Sequence, residues 1–233
     1  RHRLYLATHD RRLWALDARD GKPCAGFGAD GEVSLYGNGA YTPGDISNSS
    51  APLVAGGLVV TGSTIIDFAH ATTPRGIVQA FDASTGALRW QFDPLAGFPH
   101  SGSANVWAPM SVDEQLGLVY LPTSAPSPDY VGIARPGSND YANSVLALDL
   151  ASGAYRWHFQ HVRHDLWDYD TPAQPILFTW RRQGREVPAL AQLTKQGFVF
   201  VLDRRSGESL WEITEQPVPP SQVPGEQPAA TQP

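Results

Sequence analysis

The sequence predicts an all-β fold assembled from repeated hairpins, and three observations support this prediction. Gly and Pro are frequent, with 22 and 20 copies in 233 residues, which is typical of a chain with many tight turns. One pattern, an apolar strand followed by Asp, three further residues and Gly, occurs four times and ends at Gly21, Gly86, Gly153 and Gly207. These glycines are 65, 67 and 54 residues apart, and a simple four-stranded blade needs only roughly 40–45 residues. The sequence therefore predicts part of a β-propeller, about three to four blades with inserted loops.

Each copy of the repeat predicts a β-hairpin, because apolar and polar residues alternate on both sides of a turn whose Gly is free to take a positive φ. The four copies span 13–21, 78–90, 145–157 and 199–211. The last three end in a Trp four residues after the Gly, and we expect these large rings to pack between neighbouring blades. They are Trp90, Trp157 and Trp211. Further strands are predicted over 52–61, 117–122 and 189–193.

The composition divides the chain into two parts. Residues 1–215 form the partial propeller domain, whereas the tail, 216–233, is rich in Pro and too polar to build a core. We expect this tail to be an extended loop or a truncated end. The sequence starts at Arg1 inside a predicted strand, with no initiator Met and no signal peptide, so we expect a fragment cut at both ends. No stretch approaches the ~18 apolar residues of a transmembrane helix.

Several function classes find no support in the sequence. The net charge is −6 and basic residues occur only in short clusters, which argues against a nucleic-acid surface. Cys24 is the only cysteine, so an internal disulfide is excluded. The Gly-x-Ser-x-Gly turn of serine hydrolases, the phosphate-binding loop and the dinucleotide-binding Gly-x-Gly-x-x-Gly are all absent.

Three features outside the repeat are candidates for chemistry. The segment 161–170 (HVRHDLWDYD) holds two His, three Asp and a Trp, either as a loop of mutually bonded polar groups or as a site. Zinc is not supported, since no Cys or second His pair completes a closed set of ligands. Lys195, one of only two lysines, follows a predicted strand and either points to the propeller axis or lies on the surface. Trp107 stands outside the repeat position beside Asn105 and offers either a flat binding face or a core ring.

Five stretches of the chain, in order, resemble the membrane-bound PQQ-dependent dehydrogenases, the glucose/quinate/polyol family of eight-bladed quinoproteins. They are 4–28, 49–63, 75–94, 105–109 with 119–122, and 164–175 with 195–208. The hairpin motifs are common to many propellers. The segment HDLWDYDTPAQP, with Lys195 standing 27 residues after Asp168, is specific to this family.

The resemblance assigns roles to individual residues. It implies that Asp168 is the catalytic base and that Lys195 contacts the reactive oxygens of pyrroloquinoline quinone (PQQ). Trp107 matches the Trp that stacks on this planar cofactor, and Ser127 falls where a small hydroxyl residue lies close to it. Asp67 matches an acid associated with the divalent cation, Mg²⁺ or Ca²⁺.

The sequence departs from the family pattern beside Asp67, where Phe68 stands in the place of an expected Asn. This departure weakens the prediction of a cation at that position. Within the segment 161–170, we expect His164 and Asp165 to order the loop.

The resemblance also implies a function for the whole protein. The reaction is oxidation of a sugar or polyol, of glucose or quinate type, by proton abstraction and hydride transfer to PQQ. Electrons then pass to ubiquinone at the periplasmic face of the bacterial inner membrane, with membrane contact through parts outside this sequence. The adjacent Cys pair of the soluble alcohol-oxidising quinoproteins is absent, which favours the membrane type.

A rival interpretation is a non-catalytic propeller that scaffolds protein assembly in the cell envelope. The two interpretations differ in geometry. An enzyme needs Asp168, Lys195 and Trp107 around one flat cavity, whereas a scaffold would leave them scattered.

Overall fold

The computed structural model describes residues 2–36, 42–98, 101–182 and 184–233. All regular secondary structure in these ranges is β, and they contain no helix that could cross a membrane. The strands are β1 (Arg3–Ala7), β2 (Arg12–Asp17), β3 (Glu32–Ser34), β4 (Ile46–Ser47), β5 (Leu53–Ala55), β6 (Leu58–Thr61), β7 (Thr64–Ile65), β8 (Val78–Asp82), β9 (Leu88–Phe92), β10 (Gly102–Ser103), β11 (Ser111–Asp113), β12 (Leu118–Pro122), β13 (Pro126–Ser127), β14 (Ser144–Asp149), β15 (Tyr155–Gln160), β16 (Ile176–Arg182), β17 (Arg185–Leu193), β18 (Val199–Asp203), β19 (Gln216–Pro217) and β20 (Thr231–Gln232).

Four antiparallel sheets follow one another along the chain. Blade 1 is β1-β2-β3, blade 2 is β5-β6-β8-β9, blade 3 is β11-β12-β14-β15 and blade 4 is β16-β17-β18. Two short ribbons, β4-β7 and β10-β13, each pair a strand from the connection before a blade with a strand from the loop between the second and third strands of that blade, and β19-β20 lies in the tail. This meander of successive sheets confirms the prediction of a propeller fragment with three to four blades.

The Asp-x-x-x-Gly motif forms the same turn in all four repeats. The amide of each Gly donates to the backbone carbonyl of the Asp four residues earlier, at 2.8 Å in every copy. All four glycines have φ between +69° and +77°, a region that residues with a Cβ adopt at a cost. In blade 2 the Asp82 carboxylate also accepts the amides of Ser84 and Thr85, both at 2.9 Å, which fixes the turn from within.

Two predicted strands differ from the structure. The segment 52–61 is a hairpin, β5 and β6, because Gly56 and Gly57 both take positive φ (54° and 76°) and reverse the chain. After the first turn the expected strand is reduced to a single bridge between Leu16 and Pro23. Pro23 has no amide hydrogen, so it cannot extend the ladder.

The core lies between successive blades. Three buried clusters fill these interfaces, and Cys24 belongs to the one between blades 1 and 2. At the interface of blades 2 and 3, the Trp90 ring covers Gly153, where an added Cβ would stand 2.6 Å from the indole. Trp157 covers Gly207 of blade 4 in the same way, at 2.5 Å. These two Trp are therefore packed between blades, as predicted.

Trp211 departs from this prediction. Its side chain is 54 % exposed and packs edge-on against Trp180 of its own blade, with 4.4 Å between the ring centroids. Residues 212–233 contain no further copy of the repeat, so no turn glycine from this chain covers the Trp211 ring.

The tail folds back onto the loop that follows blade 3. Gln232 exchanges two hydrogen bonds with the backbone of Arg163, at 2.8 and 2.6 Å, and the Arg163 guanidinium pairs with Glu215 at 2.7 Å. The Glu226 carboxylate lies 2.8 Å from His164 Nε2, with both side chains only 3 % exposed. The tail therefore crosses the segment 161–170, called the site loop below.

Candidate functional site

The site loop owes its shape to Asp165. This buried carboxylate accepts the backbone amides of Trp167 (2.9 Å) and Tyr169 (2.7 Å) and the side-chain amide of Asn143 (2.8 Å). The chain between the two amides turns tightly, and Asp168 there takes a left-handed φ of +60°. Asp adopts this region more readily than most residues with a Cβ. Asp165 thus orders the loop, as predicted, and presents Asp168 at its tip.

Lys195 meets the site loop from blade 4. It occupies the turn between β17 and β18, and its Nζ donates to the backbone carbonyl of Asp168 at 2.7 Å. The same ammonium lies 3.3 Å from Asp168 Oδ2 and 3.5 Å from Asp170 Oδ2. Desolvation would lower the pKa of Lys195, but the carboxylates of Asp170 and Asp168 outweigh it and raise the pKa. Lys195 is therefore a cation at neutral pH.

Asp170 connects this pair to Trp107. Its Oδ1 accepts the backbone amide of Ala125 at 2.7 Å, and its Oδ2 accepts the indole N–H of Trp107 at 3.2 Å. Asp168, Lys195 and Trp107 consequently belong to one continuous network. Asp170 was not predicted from the sequence, because nothing local distinguishes it from the other acids of the loop.

Trp107 and Asp170 line an open cavity of about 150 Å³. Its wall also includes Thr64, Ile65, Asp67, Asn105 and Ser124. The polar wall is held in place, since the Ser124 hydroxyl donates to Asn105 Oδ1 (2.8 Å) and the Asn105 amide donates to the Ser63 carbonyl (2.7 Å). The cavity therefore combines a flat aromatic surface with fixed polar groups.

Ser127 lies outside the lining of this cavity. It belongs to the β10-β13 ribbon, is buried, and donates its hydroxyl to the Ala71 carbonyl at 3.3 Å. Ser124, three residues earlier, is the serine that lines the cavity. A contact between Ser127 and the cofactor stays a prediction.

Carboxylates crowd the site. Asp129, which the sequence analysis passed over, is buried, and desolvation together with the charges of Asp67, Asp168 and Asp170 raises its pKa to about 6. The Asp67 carboxylate retains contact with solvent, yet the protein around it and the charges of Asp170 and Asp168 raise its pKa as well. Lys195 lowers the pKa of Asp67 and offsets part of this repulsion. A region of excess negative charge results.

This charge and these oxygen donors suit a hard divalent cation such as Mg²⁺ or Ca²⁺. In the ranges that the structure describes, however, no three His, Cys, Asp or Glu side chains converge on one metal position. Phe68 supplies no oxygen beside Asp67. Its ring stacks on Tyr130 with 5.5 Å between centroids and is 66 % exposed. A cation beside Asp67 would therefore need further oxygen ligands besides carboxylates of the described residues.

The residues present suit the planar cofactor better than they suit the divalent cation. The indole of Trp107 offers a flat face with its N–H already bonded to Asp170. Lys195 supplies a cation on the same network for oxygens at the edge of a quinone. Stacking on an aromatic ring and pairing with an ammonium are both favourable contacts for an anionic aromatic molecule.

Comparisons with known proteins identify relatives along the whole of this chain. Three sequences similar to the chain are the glycerol dehydrogenase large subunit of Gluconobacter oxydans (39 % identical), the quinate/shikimate dehydrogenase (quinone) of Acinetobacter baylyi (40 %) and the quinoprotein glucose dehydrogenase of Escherichia coli (38 %). Each alignment covers 99–100 % of this chain but only 30–33 % of the relative. The chain thus spans about a third of the length of these relatives.

A solved structure shares the fold over the same extent. The quinohemoprotein alcohol dehydrogenase of Comamonas testosteroni superimposes with a TM-score of 0.77 at 26 % identity, covering 99 % of this chain and 36 % of that one. The family model for PQQ-dependent enzymes, described as the glucose/ethanol/alcohol dehydrogenase β-propeller domain, matches residues 1–233. The chain therefore belongs to the β-propeller domain family of PQQ-dependent glucose, ethanol and alcohol dehydrogenases.

Proposed function

We propose that the protein containing this chain oxidises a hydroxyl group of a sugar or polyol, of glucose or quinate type, with PQQ as the electron acceptor. One observation supports this most strongly. Asp168, Lys195 and Trp107 come from three separate parts of the chain and join through Asp170 in one network beside a cavity. The names of the relatives, which act on glycerol, glucose and quinate or shikimate, support the substrate class.

Asp168 is the general base in this proposal. Oxidation of an alcohol carbon to a carbonyl removes a hydroxyl proton and a hydride, and PQQ when bound supplies the acceptor for the hydride. The Asp168 carboxylate, at the tip of the site loop and 20 % exposed, takes the proton from a hydroxyl within hydrogen-bond reach. Since Asp165 and Lys195 both fix the loop around it, the carboxylate needs little reorganisation to do so.

Trp107 and Lys195 bind and orient the cofactor. The indole would provide the stacking surface, and the ammonium of Lys195 would pair with anionic oxygens of the cofactor. Asp67, on the cavity wall, would hold the divalent cation together with further oxygen ligands. On the resemblance alone, Ser127 would place its hydroxyl close to the cofactor.

The setting of the reaction is part of the same proposal. Ubiquinone would accept the electrons, and the enzyme would face the periplasm on the bacterial inner membrane, with its membrane contact outside this chain. The name of the quinate/shikimate relative includes a quinone, which supports a quinone acceptor. A scaffold propeller for envelope proteins would need neither the acid–lysine pair nor an indole fixed over a cavity.

The test uses the full-length protein, freed of cofactor and then given PQQ with Mg²⁺ or Ca²⁺. Dye reduction is measured with aldoses, polyols and quinate for the wild type and for Asp168→Asn. Loss of a general base should lower kcat by roughly 10²–10⁴-fold while PQQ binding remains, because Asn keeps the size of the side chain but accepts no proton. Absence of both PQQ binding and dye reduction in the wild type would leave the scaffold interpretation.

A matched control is Asp149→Asn. Asp149 caps the hairpin turn of blade 3, where it pairs with Arg156 at 2.7 Å, outside the cavity. Like Asp168→Asn, this substitution replaces one carboxylate with an amide of the same size. We expect Asp149→Asn to reduce the dye at the wild-type rate.

A further inference from the structure

We propose that Asp170 is a positioning residue of the PQQ site, which holds the indole of Trp107 and the ammonium of Lys195 in a fixed relation to each other. This inference rests on the proposed function. It assigns a role to Asp170, a carboxylate that neither abstracts the proton nor contacts the cofactor in the proposed reaction.

Asp170 is itself held rigidly. Its side chain is 12 % exposed, and Oδ1 accepts the Ala125 amide at 2.7 Å. Ala125 is anchored in turn, since its carbonyl accepts the amide of Ala104 at 2.9 Å. A carboxylate so far removed from water requires such partners. Its second oxygen, Oδ2, is thereby fixed in direction and faces both Trp107 and Lys195.

Trp107 depends on this oxygen for its orientation. An indole has a single hydrogen-bond donor, and here that donor is bonded to Asp170 Oδ2 at 3.2 Å. The other end of the residue is tied by the Ser50 hydroxyl, which donates to the Trp107 carbonyl. With both ends bonded, the plane of the ring is set before any ligand stacks on it, which lowers the entropic cost of binding.

Asp170 is the second acid beside Lys195, whose ammonium also donates to the Asp168 carbonyl at 2.7 Å and lies 3.5 Å from Asp170 Oδ2. The four-carbon side chain of Lys195 is flexible and 34 % exposed, and the ammonium lies between the carboxylates of Asp168 and Asp170. Without Asp170, the ammonium would pair with Asp168 alone and would occupy the carboxylate that accepts the proton. Asp170 therefore keeps the cation shared between two acids.

The experiment measures PQQ affinity of the full-length apo protein by quenching of its tryptophan fluorescence, with equilibrium dialysis as a second readout. Asp170→Ala removes both contacts, and we expect the Kd for PQQ to rise about ten-fold or more, as for a lost hydrogen bond to a charged group. Asp170→Asn retains a carbonyl oxygen for Trp107 but loses the attraction to Lys195. Its Kd should fall between those of the wild type and the Ala variant.

A double-mutant cycle separates positioning from general damage to the fold. Trp107→Phe keeps an aromatic face but has no N–H, so Asp170 cannot orient it. If Asp170 acts through the indole, Asp170→Ala should raise the Kd less in the Trp107→Phe background than in the wild type. A merely structural loss would raise it equally in both. Asp149→Ala, outside the cavity, should leave the Kd unchanged.

The possible outcomes are distinct. An unchanged Kd in Asp170→Ala, with PQQ still bound by the wild type, overturns the role of Asp170 and leaves the proposed function standing. Fully multiplicative effects in the cycle overturn its action through the indole of Trp107. Failure of the wild type to bind PQQ overturns both the role of Asp170 and the proposed function. A non-additive loss of affinity in folded variants supports the positioning role.

Discussion

Asp129 shows how strongly the charges of the site act on a single side chain. Desolvation and three neighbouring carboxylates, those of Asp67, Asp168 and Asp170, raise its pKa from 3.8 to about 6. The buried Arg135 guanidinium donates to the backbone carbonyls of Pro128 and Asp129, at 2.9 and 3.1 Å, and so holds the backbone of the residue. The folded protein therefore holds the Asp129 carboxylate ionised at neutral pH in surroundings that disfavour the charge, and such shifted pKa values are common at functional sites.

This shift predicts the pH dependence of stability. The pKa of Asp129 is higher in the folded protein than in the unfolded chain. Its protonated carboxyl therefore contributes to the free energy of unfolding fully below about pH 4, and this contribution is lost as the pH rises through 6. Asp129→Asn carries no charge at any pH. It should raise the free energy of unfolding at pH 7 by on the order of 1–3 kcal/mol relative to the wild type, and by little at pH 4. Urea unfolding of the full-length apo protein between pH 4 and 7 measures this difference.

Asp149→Asn provides a control of opposite sign. Hydrogen bonds from Arg156 and Ser152 lower the pKa of Asp149 to about 2, so its contribution is present above about pH 4 and is lost toward pH 2. That variant should be less stable than the wild type at pH 7. A stability difference for Asp129→Asn that is constant across the pH range would contradict the role given to its charge.

At the scale of the elements, the turn glycine of one hairpin serves as the contact surface for the blade before it. Gly153 and Gly207 receive the rings of Trp90 and Trp157, whereas Gly86 receives Val33 and Phe27 of blade 1, which has no Trp at that point. Each of these glycines thus has two functions. It permits the positive φ of its own turn and leaves room for a side chain of the preceding blade.

The two functions can be separated by substitution. Gly153→Ala requires a positive φ (+71°) and also forces a Cβ to within 2.6 Å of the Trp90 ring, so we expect a loss of about 2–5 kcal/mol. Gly117→Ala requires a similar φ (+65°), but no described atom lies within 4 Å of the added Cβ. That control should lose only about 1–2 kcal/mol. Urea unfolding compares the two, and equal losses would show that the ring contact contributes nothing.

For the whole molecule, the tail couples distant parts of the chain to the site. Burial would raise the pKa of Glu226, but hydrogen bonds from His164 and from the Gly132 amide outweigh it and lower the pKa. These contacts join the tail to the site loop and to the loop that contains Asp129. Breaking a buried pair by removing one partner leaves the other unsatisfied, which is costly.

We therefore expect Glu226→Ala to loosen the site loop. Local opening should become easier by about 2–4 kcal/mol, since His164 and the Gly132 amide would both lose their acceptor. Hydrogen exchange of the Trp167 and Tyr169 amides, which Asp165 protects, reports this directly. Glu212→Ala, which removes an exposed acid just before the tail, is the control. Unchanged protection in Glu226→Ala would show that the tail does not restrain the loop.

The sequence predicted what depends on neighbours along the chain. The Asp-x-x-x-Gly turns are local, so the hairpins and the number of blades followed from the repeat. The repeat predicted that Trp211 packs between blades, but the ring is exposed, because its burial depends on whether another hairpin covers it. Within the site, Asp168, Lys195 and Trp107 were named from a motif, and the structure joins them. Asp170 was missed because its partner Trp107 lies 63 residues away.

The tail illustrates the same limit. A composition rich in Pro indicates that 216–233 builds no core, yet it says nothing about where an extended segment lies. The docking depends on single polar contacts across long separations, such as the 62 residues between His164 and Glu226. The periodic pattern of apolar and polar residues carries no information about such a contact.

The contact of Trp with Gly has a direction, and this has a consequence for assembly. Blades 2 and 3 each present an indole to the turn glycine of the next blade, and blade 1 presents Val33 and Phe27 there, so these blades join head to tail through unlike surfaces. At one end of the series no described atom lies within 4 Å of a Cβ built on Gly21, and at the other Trp211 is 54 % exposed. Such heterologous contacts close into a ring only when the rotations per step add up to a full turn. A change in the angle between any two blades would therefore leave a gap where the first and last blades of the ring meet, however distant that point is from the change.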